Sequence, residues 1–372
     1  MARAKKTEWS FTILDILLIA VPAAIALRYV PGWGSGPALF IVSSIAIVPL
    51  AGWMGRATEH LAARSGSGFG GFLNATFGNA AEMIIALVAL NKGLTGVVKA
   101  SITGSIIGNL LLVLGASILV GGIRHRKQTF NQTAARISAT SLGLGAIALL
   151  IPTVFHRAAA SRPGGWTVEA EQKLSLAIVV VLFLTYFFSL FFHLFTHRDL
   201  FAGPAKAKGE VAEAHWPLWQ SITALALATA FIAWISEFLV GSIESARHTF
   251  GLTETFVGVV VVALVGNAAE HSTAVWAAWK NKMDLSLTIA TGSSLQMALF
   301  VTPVLVFCSY ALGDPMTLEF SLPEIASIVL SVWIVGQISG DGESNWLEGV
   351  QLLSVYIIIG ILFYYLPALP HH

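Results

Sequence analysis

The five residues Gly78-Asn79-Ala80-Ala81-Glu82 recur without change as Gly266-Asn267-Ala268-Ala269-Glu270, and both copies lie inside long apolar blocks. This duplication constrains the fold more than any other feature. The same offset carries Thr103-Gly104-Ser105 onto Thr291-Gly292-Ser293 and Lys92 onto Lys280, and a looser echo relates Thr58-Glu59-His60-Leu61 to Ser236-Glu237-Phe238-Leu239. Of the 372 residues, 56% are hydrophobic and only 11% charged, against about a quarter charged in soluble domains. So few charges cannot cover the surface of a water-soluble fold this size. The apolar residues come in blocks, 11–30 being the first, each long enough to cross ~30 Å of hydrocarbon. The chain therefore reads as an all-α polytopic membrane protein.

Breaks at Gly, Pro and charge clusters give eleven candidate transmembrane helices. They run over 11–30, 37–63, 69–92, 97–122, 134–155, 172–196, 217–247, 254–280, 285–312, 321–340 and 347–366. The first block is longer than the core of a signal peptide and has no clear small-residue cleavage site. Lys/Arg counts in short loops set the orientation. Arg3, Lys5 and Lys6, then Arg56 and Arg64, Arg124, Arg126 and Lys127, Arg198, Lys206 and Lys208, and Lys280 and Lys282 fall on one side. That side is expected to be cytoplasmic, with the amino terminus inside and the carboxyl terminus outside. Arg157, Arg162 and Lys173 dilute the contrast, and the last loop on the basic side, with Asp341, Glu343 and Glu348, is acidic. The single cysteine, Cys308, excludes an internal disulfide and a cysteine-based metal site. A net charge of +1 argues against nucleic acid as a partner.

Five spans separate each copy of the repeat from its counterpart, so the two must enter the membrane in opposite directions. That is the inverted-repeat plan of secondary transporters, whose sites lie near the midplane where the repeats meet. The expected organisation is an extra helix over 1–36, a first five-helix half over 37–196, a cytoplasmic linker over 197–216 and a second half over 217–372. The terminal His371 and His372 are left out of this reading.

Glu82 and Glu270 each lie mid-span, where an ionised carboxylate costs at least about 2.5–3.5 kcal/mol on insertion scales and needs a partner, a cation or a proton. Brought together across a pseudo-two-fold axis, the two carboxylates repel. A divalent cation relieves that repulsion, and so does protonation, which is the physical basis of cation/proton exchange. The neighbours suit a hard cation such as Ca²⁺, which takes six to eight oxygens. Asn79 and Asn267 precede their glutamates by three positions, on the same helical face. Gly78 and Gly266 can loosen the helix and free backbone carbonyls. On the next span of each half, Ser105 and Ser293 offer hydroxyls. Gln296 adds an amide one turn after Ser293, and Asn109 lies near the corresponding place, one register off. Interhelical hydrogen bonding is the competing role for each serine and amide.

Nothing reads as a zinc or haem site. His60, His193 and His271 are scattered, and His271, next to Glu270, should point to another face. Glu59 and Glu237 lie toward opposite span ends and suggest relays at two entrances. Trp276 and Trp279 are expected to anchor their helix at the interface.

In residues 78–122 and 266–304, including the Gly-Asn-Ala-Ala-Glu-His and Ser-Ser-x-Gln segments, the sequence resembles the CAX family of Ca²⁺/H⁺ antiporters, within the cation/Ca²⁺ exchanger superfamily. The resemblance implies one extra helix followed by two inverted five-helix halves. It also implies Ca²⁺ bound between Glu82 and Glu270 and exchanged there for protons. Asn267, Ser293 and Gln296 match family positions near that site, and Glu59 and Glu237 match its flanking acidic positions. Two departures stand out. Gly108 occupies a place where many members have serine, and the linker carries only Glu210 and Glu213 where some eukaryotic members have a longer acidic segment.

The expected function is thus secondary active Ca²⁺/H⁺ exchange by alternating access, with Ca²⁺ and H⁺ as substrates, the lipid bilayer as surroundings, no cofactor and no enzymatic chemistry. A homo-oligomer is compatible with the sequence. The nearest alternative is a Na⁺/Ca²⁺ or other monovalent cation exchanger of the same superfamily. A cation channel could also face glutamates into a pore, but channels build such rings by oligomer symmetry. Gly313-Asp314 and Gly340-Asp341 superficially match intramembrane protease motifs, yet both sit at span ends beside turn residues. The compact linker favours a prokaryotic plasma membrane over a vacuolar one.

Overall fold

The computed structural model describes residues 13–34, 36–160, 167–197 and 216–366. The helices are α1 (Ala20–Tyr29), α2 (Gly36–Arg64), α3 (Gly66–Phe77), α4 (Ala80–Asn91), α5 (Thr95–Arg124) and α6 (Gln132–Ala160), followed by α7 (Val168–Thr196), α8 (Leu218–Phe250), α9 (Glu254–Trp279), α10 (Met283–Leu312), α11 (Leu322–Ile338) and α12 (Trp346–Tyr365). A 3₁₀ turn, Ile13–Ile19, precedes α1. Among the described residues eight of these helices are long and apolar enough to cross a membrane, and α4 and α11 are shorter apolar helices. The protein is a predominantly helical membrane protein. Nearly all of the linker expected over 197–216 lies outside the described residues.

Two differences from the sequence expectation bear on the site. The span expected over 69–92 is broken: α3 stops at Phe77, Asn79 leaves helical geometry (φ −98°, ψ 23°), and α4 starts at Ala80. Its repeat partner, Gly266-Asn267, lies inside the continuous helix Ala263–Trp279. The expectation that both glycines loosen their helices therefore holds only for Gly78. In α9 the slack comes a turn earlier, over Val257–Val262, where the Ala263 N–H reaches back five residues to the Gly258 carbonyl. Widened turns of this kind also interrupt α5 over Gly108–Val113 and α10 over Met297–Val301. Such π turns recur at functional sites because they leave carbonyls imperfectly engaged.

The packing is reciprocal. α2 lies along α8; α2 also packs on α9 as α8 does on α4; α5 packs on α12 as α10 does on α7; and α6 packs on α11. The centre is built from α5 and α10, with 72% and 56% of their apolar windows buried, while α7 and α12 at 22% face outward. The composition of α5 explains its place. Lipid is as apolar as a leucine side chain, so close helix contact in a membrane relies on small residues, and α5 carries Ser101, Thr103, Gly104, Ser105 and Gly108. A Cβ on Gly104 would run into the Val259 carbonyl of α9, and one on Gly258 would come within 3.0 Å of the Val97 carbonyl.

At the end where α5 meets α6, strand β1 (Gln128–Thr129) pairs antiparallel with β2 (Glu343–Ser344), in register Gln128↔Ser344 and Thr129↔Glu343. Lys127 bridges to Glu343 at 2.5 Å across this ladder. Glu348 and Asn345 form a reciprocal cap at the start of α12. Asp341 Oδ1 accepts the Glu343 N–H at 3.1 Å, so all three acidic residues that weaken the basic bias of this loop have local structural work.

The central polar site and its relatives

Most hydroxyls in the spans are satisfied by their own helix, as with Ser44 Oγ to the Phe40 carbonyl and Thr291 Oγ1 to the Leu287 carbonyl, both 2.8 Å. The repeat residues instead reach between helices. The Ser293 hydroxyl donates to Asn79 Oδ1 at 2.8 Å, and Asn79 Nδ2 donates to Gln296 Oε1 at 2.5 Å. In the opposite sense Asn267 Nδ2 donates to Ser105 Oγ at 3.1 Å and to its own helix at the Ala263 carbonyl, 2.9 Å away. Each asparagine of one copy thus bonds the serine that follows the other copy.

The glycines show the same reciprocity. A Cβ on Gly78 would lie 3.4 Å from Glu270 Oε1 and 3.5 Å from Gln296 Oε1; one on Gly266 would lie 2.7 Å from Glu82 Cγ. At Gly266 only hydrogen leaves room for the Glu82 side chain, whereas at Gly78 a Cβ would touch the Glu270 carboxylate at ordinary contact distance and would crowd the Asn74 carbonyl, 2.9 Å away. Glu82 is buried, at 7% exposure, and stands in the first turn of α4, where the helix N-terminus favours negative charge. Among the described residues neither of its carboxylate oxygens has a hydrogen-bond partner, and neither does Glu270 Oε2. Orphaned carboxylate oxygens in an apolar core are rare and costly.

All seven residues expected to ligate a metal, Glu82, Glu270, Asn79, Asn267, Ser105, Ser293 and Gln296, therefore fall in one contiguous region. Two further residues join it. Asn109 Nδ2 donates to Ser293 Oγ at 2.9 Å and to Asn267 Oδ1 at 3.3 Å, so Asn109 gives Asn267 the amide contact that Gln296 gives Asn79. It lies four residues after Ser105, as Gln296 lies three after Ser293, and both spacings fall on one helical face. That spacing was the signal in the sequence. His271 also departs from expectation: its Nε2 lies 3.2 Å from Asn109 Oδ1, because α5 flanks α9 on the side to which the imidazole turns.

The expected pathway residues lie outside this network. Glu237 pairs with Lys92 at 2.9 Å, and Lys92 also donates to the Glu237 carbonyl at 3.0 Å. Glu59 is exposed near the other end of the bundle. His60 packs on Trp216, with ring centroids 4.6 Å apart, and His193 Nδ1 lies 2.6 Å from its own helix at the Ser189 carbonyl. Trp276 and Trp279 carry Lys280 and Arg124 over their rings at 4.8 and 4.6 Å.

The chain as a whole is similar to known proteins. A family profile described as "Sodium/calcium exchanger protein" matches residues 35–195 and 220–365. A Ca(2+)/H(+) antiporter of Synechocystis is 45% identical over 96% of this chain and 98% of its own length. The Ca(2+)/H(+) antiporter ChaA of Bacillus subtilis is 44% identical over 94% and 99%. The solved structure of native YfkE, 42% identical, superposes with a TM-score of 0.80 over 95% of this chain and all of that one. The H+/Ca2+ exchanger CAX, at 14% identity and a TM-score of 0.69, covers 94% and 91% and shares the fold. By these matches the chain belongs to the sodium/calcium exchanger family, in its branch of Ca²⁺/H⁺ antiporters.

Proposed function

We propose that this protein exchanges Ca²⁺ for H⁺ across a membrane, and that Glu82 and Glu270 hold the two substrates in turn. The observation that carries the residue assignment is the set of three buried carboxylate oxygens without a donor, on the two copies of one repeated segment. Such oxygens are stable when shared by a hard cation or when protonated. Asn79, Asn267, Ser105, Ser293 and Gln296 add neutral oxygens around them and keep the site from collapsing onto a tight ion pair. The reciprocal contacts of the two copies support an inverted-repeat plan, in which rocking one half against the other exposes the same residues to each side in turn.

In this reading protons from outside neutralise the carboxylates and release Ca²⁺, and deprotonation toward the cytoplasm restores the binding form. The amino terminus is cytoplasmic, the carboxyl terminus outside, and the membrane is a bacterial plasma membrane. Glu237 and Glu59 stand at the outer and inner approaches. In sealed vesicles an imposed pH gradient should drive ⁴⁵Ca²⁺ uptake, and Glu82→Gln or Glu270→Gln should reduce it to background with the protein still folded. Uptake by either variant at the wild-type rate would refute the assignment. The family description makes Na⁺/Ca²⁺ exchange the second reading. An imposed Na⁺ gradient without a pH gradient should leave Ca²⁺ flux at background, and flux driven by Na⁺ alone would favour that reading.

A further inference from the structure

Far from the central network, at the helix ends on the Lys92–Glu237 side, His156, Glu171 and Glu319 bring one ligand atom each to within 4.8 Å of one another. They come from the end of α6, the start of α7 and the segment between α10 and α11. His156 Nδ1 lies 3.1 Å from Glu171 Oε2, and its Nε2 lies 3.6 Å from Glu319 Oε1. A neutral imidazole carries one N–H and one lone pair. The nitrogen that carries no proton can bind a cation, and each ring nitrogen has a carboxylate oxygen at hand to share it.

The placement is built by buried groups on the same helix faces. Thr153, one turn before His156, accepts the Phe320 N–H at 3.0 Å and donates to the Phe320 carbonyl at 3.3 Å. Ser175, one turn after Glu171, accepts the Leu318 N–H at 2.9 Å. Glu319, between these two clamped residues, is thereby held beside both partners. Charge points the same way. Lys99, whose ammonium reaches Thr317 Oγ1 at 3.4 Å, feels Glu319, Glu324 and Glu171. Among these four groups the carboxylates outnumber the lysine three to one, and a divalent cation would reduce their mutual repulsion.

We propose that His156, Glu171 and Glu319 form a second metal site, selective for a borderline divalent ion of the Zn²⁺ type. Tetrahedral coordination with bonds of about 2.1 Å sets ligand atoms roughly 3.4 Å apart, so the three ligand atoms, which lie within 4.8 Å of one another, would draw together around the ion. One imidazole nitrogen with two carboxylates suits such an ion better than Ca²⁺, which takes an all-oxygen shell of higher number. A solvent molecule completes the coordination, and the site is separate from the central glutamates.

The test is Zn²⁺ binding to the purified full-length protein in detergent, lacking His371 and His372, read by competition with a fluorescent zinc chelator in excess Ca²⁺. One equivalent should bind. His156→Ala and Glu319→Gln should each weaken it at least about tenfold, since loss of even a supporting residue costs that much at metal sites. The Glu82→Gln/Glu270→Gln variant should retain it. Glu319 is partly exposed, at 38% of its side chain, so its substitution tests the site without emptying a core. Wild-type Zn²⁺ affinity in both His156→Ala and Glu319→Gln would overturn the proposal, as would loss of the equivalent in the double glutamate variant. Because the readout is binding, it stands or falls independently of the exchange reaction.

Discussion

A methyl group at Gly266 has nowhere to go but into the side chain of Glu82, 2.7 Å away. Gly266→Ala should therefore displace that carboxylate and weaken Ca²⁺ binding by about tenfold or more. Gly292→Ala, on the neighbouring helix and with open space around its Cβ, should bind Ca²⁺ as the wild type does; calorimetric titration of both variants checks the contrast. Asn267 is the other residue with much to lose. Its amide serves Ser105 and the Ala263 carbonyl while its oxygen accepts from Asn109. Asn267→Ala leaves buried partners unpaired, at a cost of about 1–3 kcal/mol, and should lower the melting temperature as well as the affinity. At this scale the sequence carried much of the site, because identical residues at a fixed offset pointed to Glu82, Glu270, both asparagines and both serines. It under-read Asn109 and His271. The repeat offset aligns Gln296 with Gly108, so strict symmetry hides an amide one residue further on. The direction of an imidazole also depends on which helix flanks it, which no spacing within α9 reveals.

At the scale of elements, the break between α3 and α4 and the widened turn in α9 give the two copies of the repeat different backbones. The five residues alone do not decide the break, since the same segment runs through α9 as continuous helix. The apolar blocks made the spans legible, yet identical segments gave no sign that their local geometry would differ. The crossing of α5 and α9 should be intolerant. Gly104→Val drives two methyl groups toward the Val259 backbone carbonyl, and overpacking of this kind costs about 1–3 kcal/mol or more. Thermal melting in detergent should show the loss, while Gly143→Val on α6, where a Cβ meets nothing within 4 Å, should melt near the wild type. The Lys92–Glu237 pair is different, being a half-exposed bridge worth at most about 1 kcal/mol. Glu237→Gln should leave the melting temperature within a degree or two of the wild type and yet slow Ca²⁺ flux, if its carboxylate serves the outer approach as proposed.

For the whole molecule, exchange as proposed depends on one site that is unstable when it holds neither substrate. The reciprocal packing of α2 with α8 and of α4 with α9 brings the two copies of the repeat together, and in the proposed mechanism the surrounding helices present their glutamates to either side. If protons and Ca²⁺ compete for these carboxylates as proposed, apparent Ca²⁺ affinity should fall as pH falls, because protonation must be reversed before the cation binds. The most direct test is proton release. Ca²⁺ is added to the purified, lightly buffered protein across a series of pH values, and the protons set free per Ca²⁺ bound are counted. The account predicts release that grows as pH falls through the range where the pair is protonated, and none from Glu82→Gln/Glu270→Gln. Ca²⁺ binding without proton release at every pH, or undiminished release from the double variant, would contradict it.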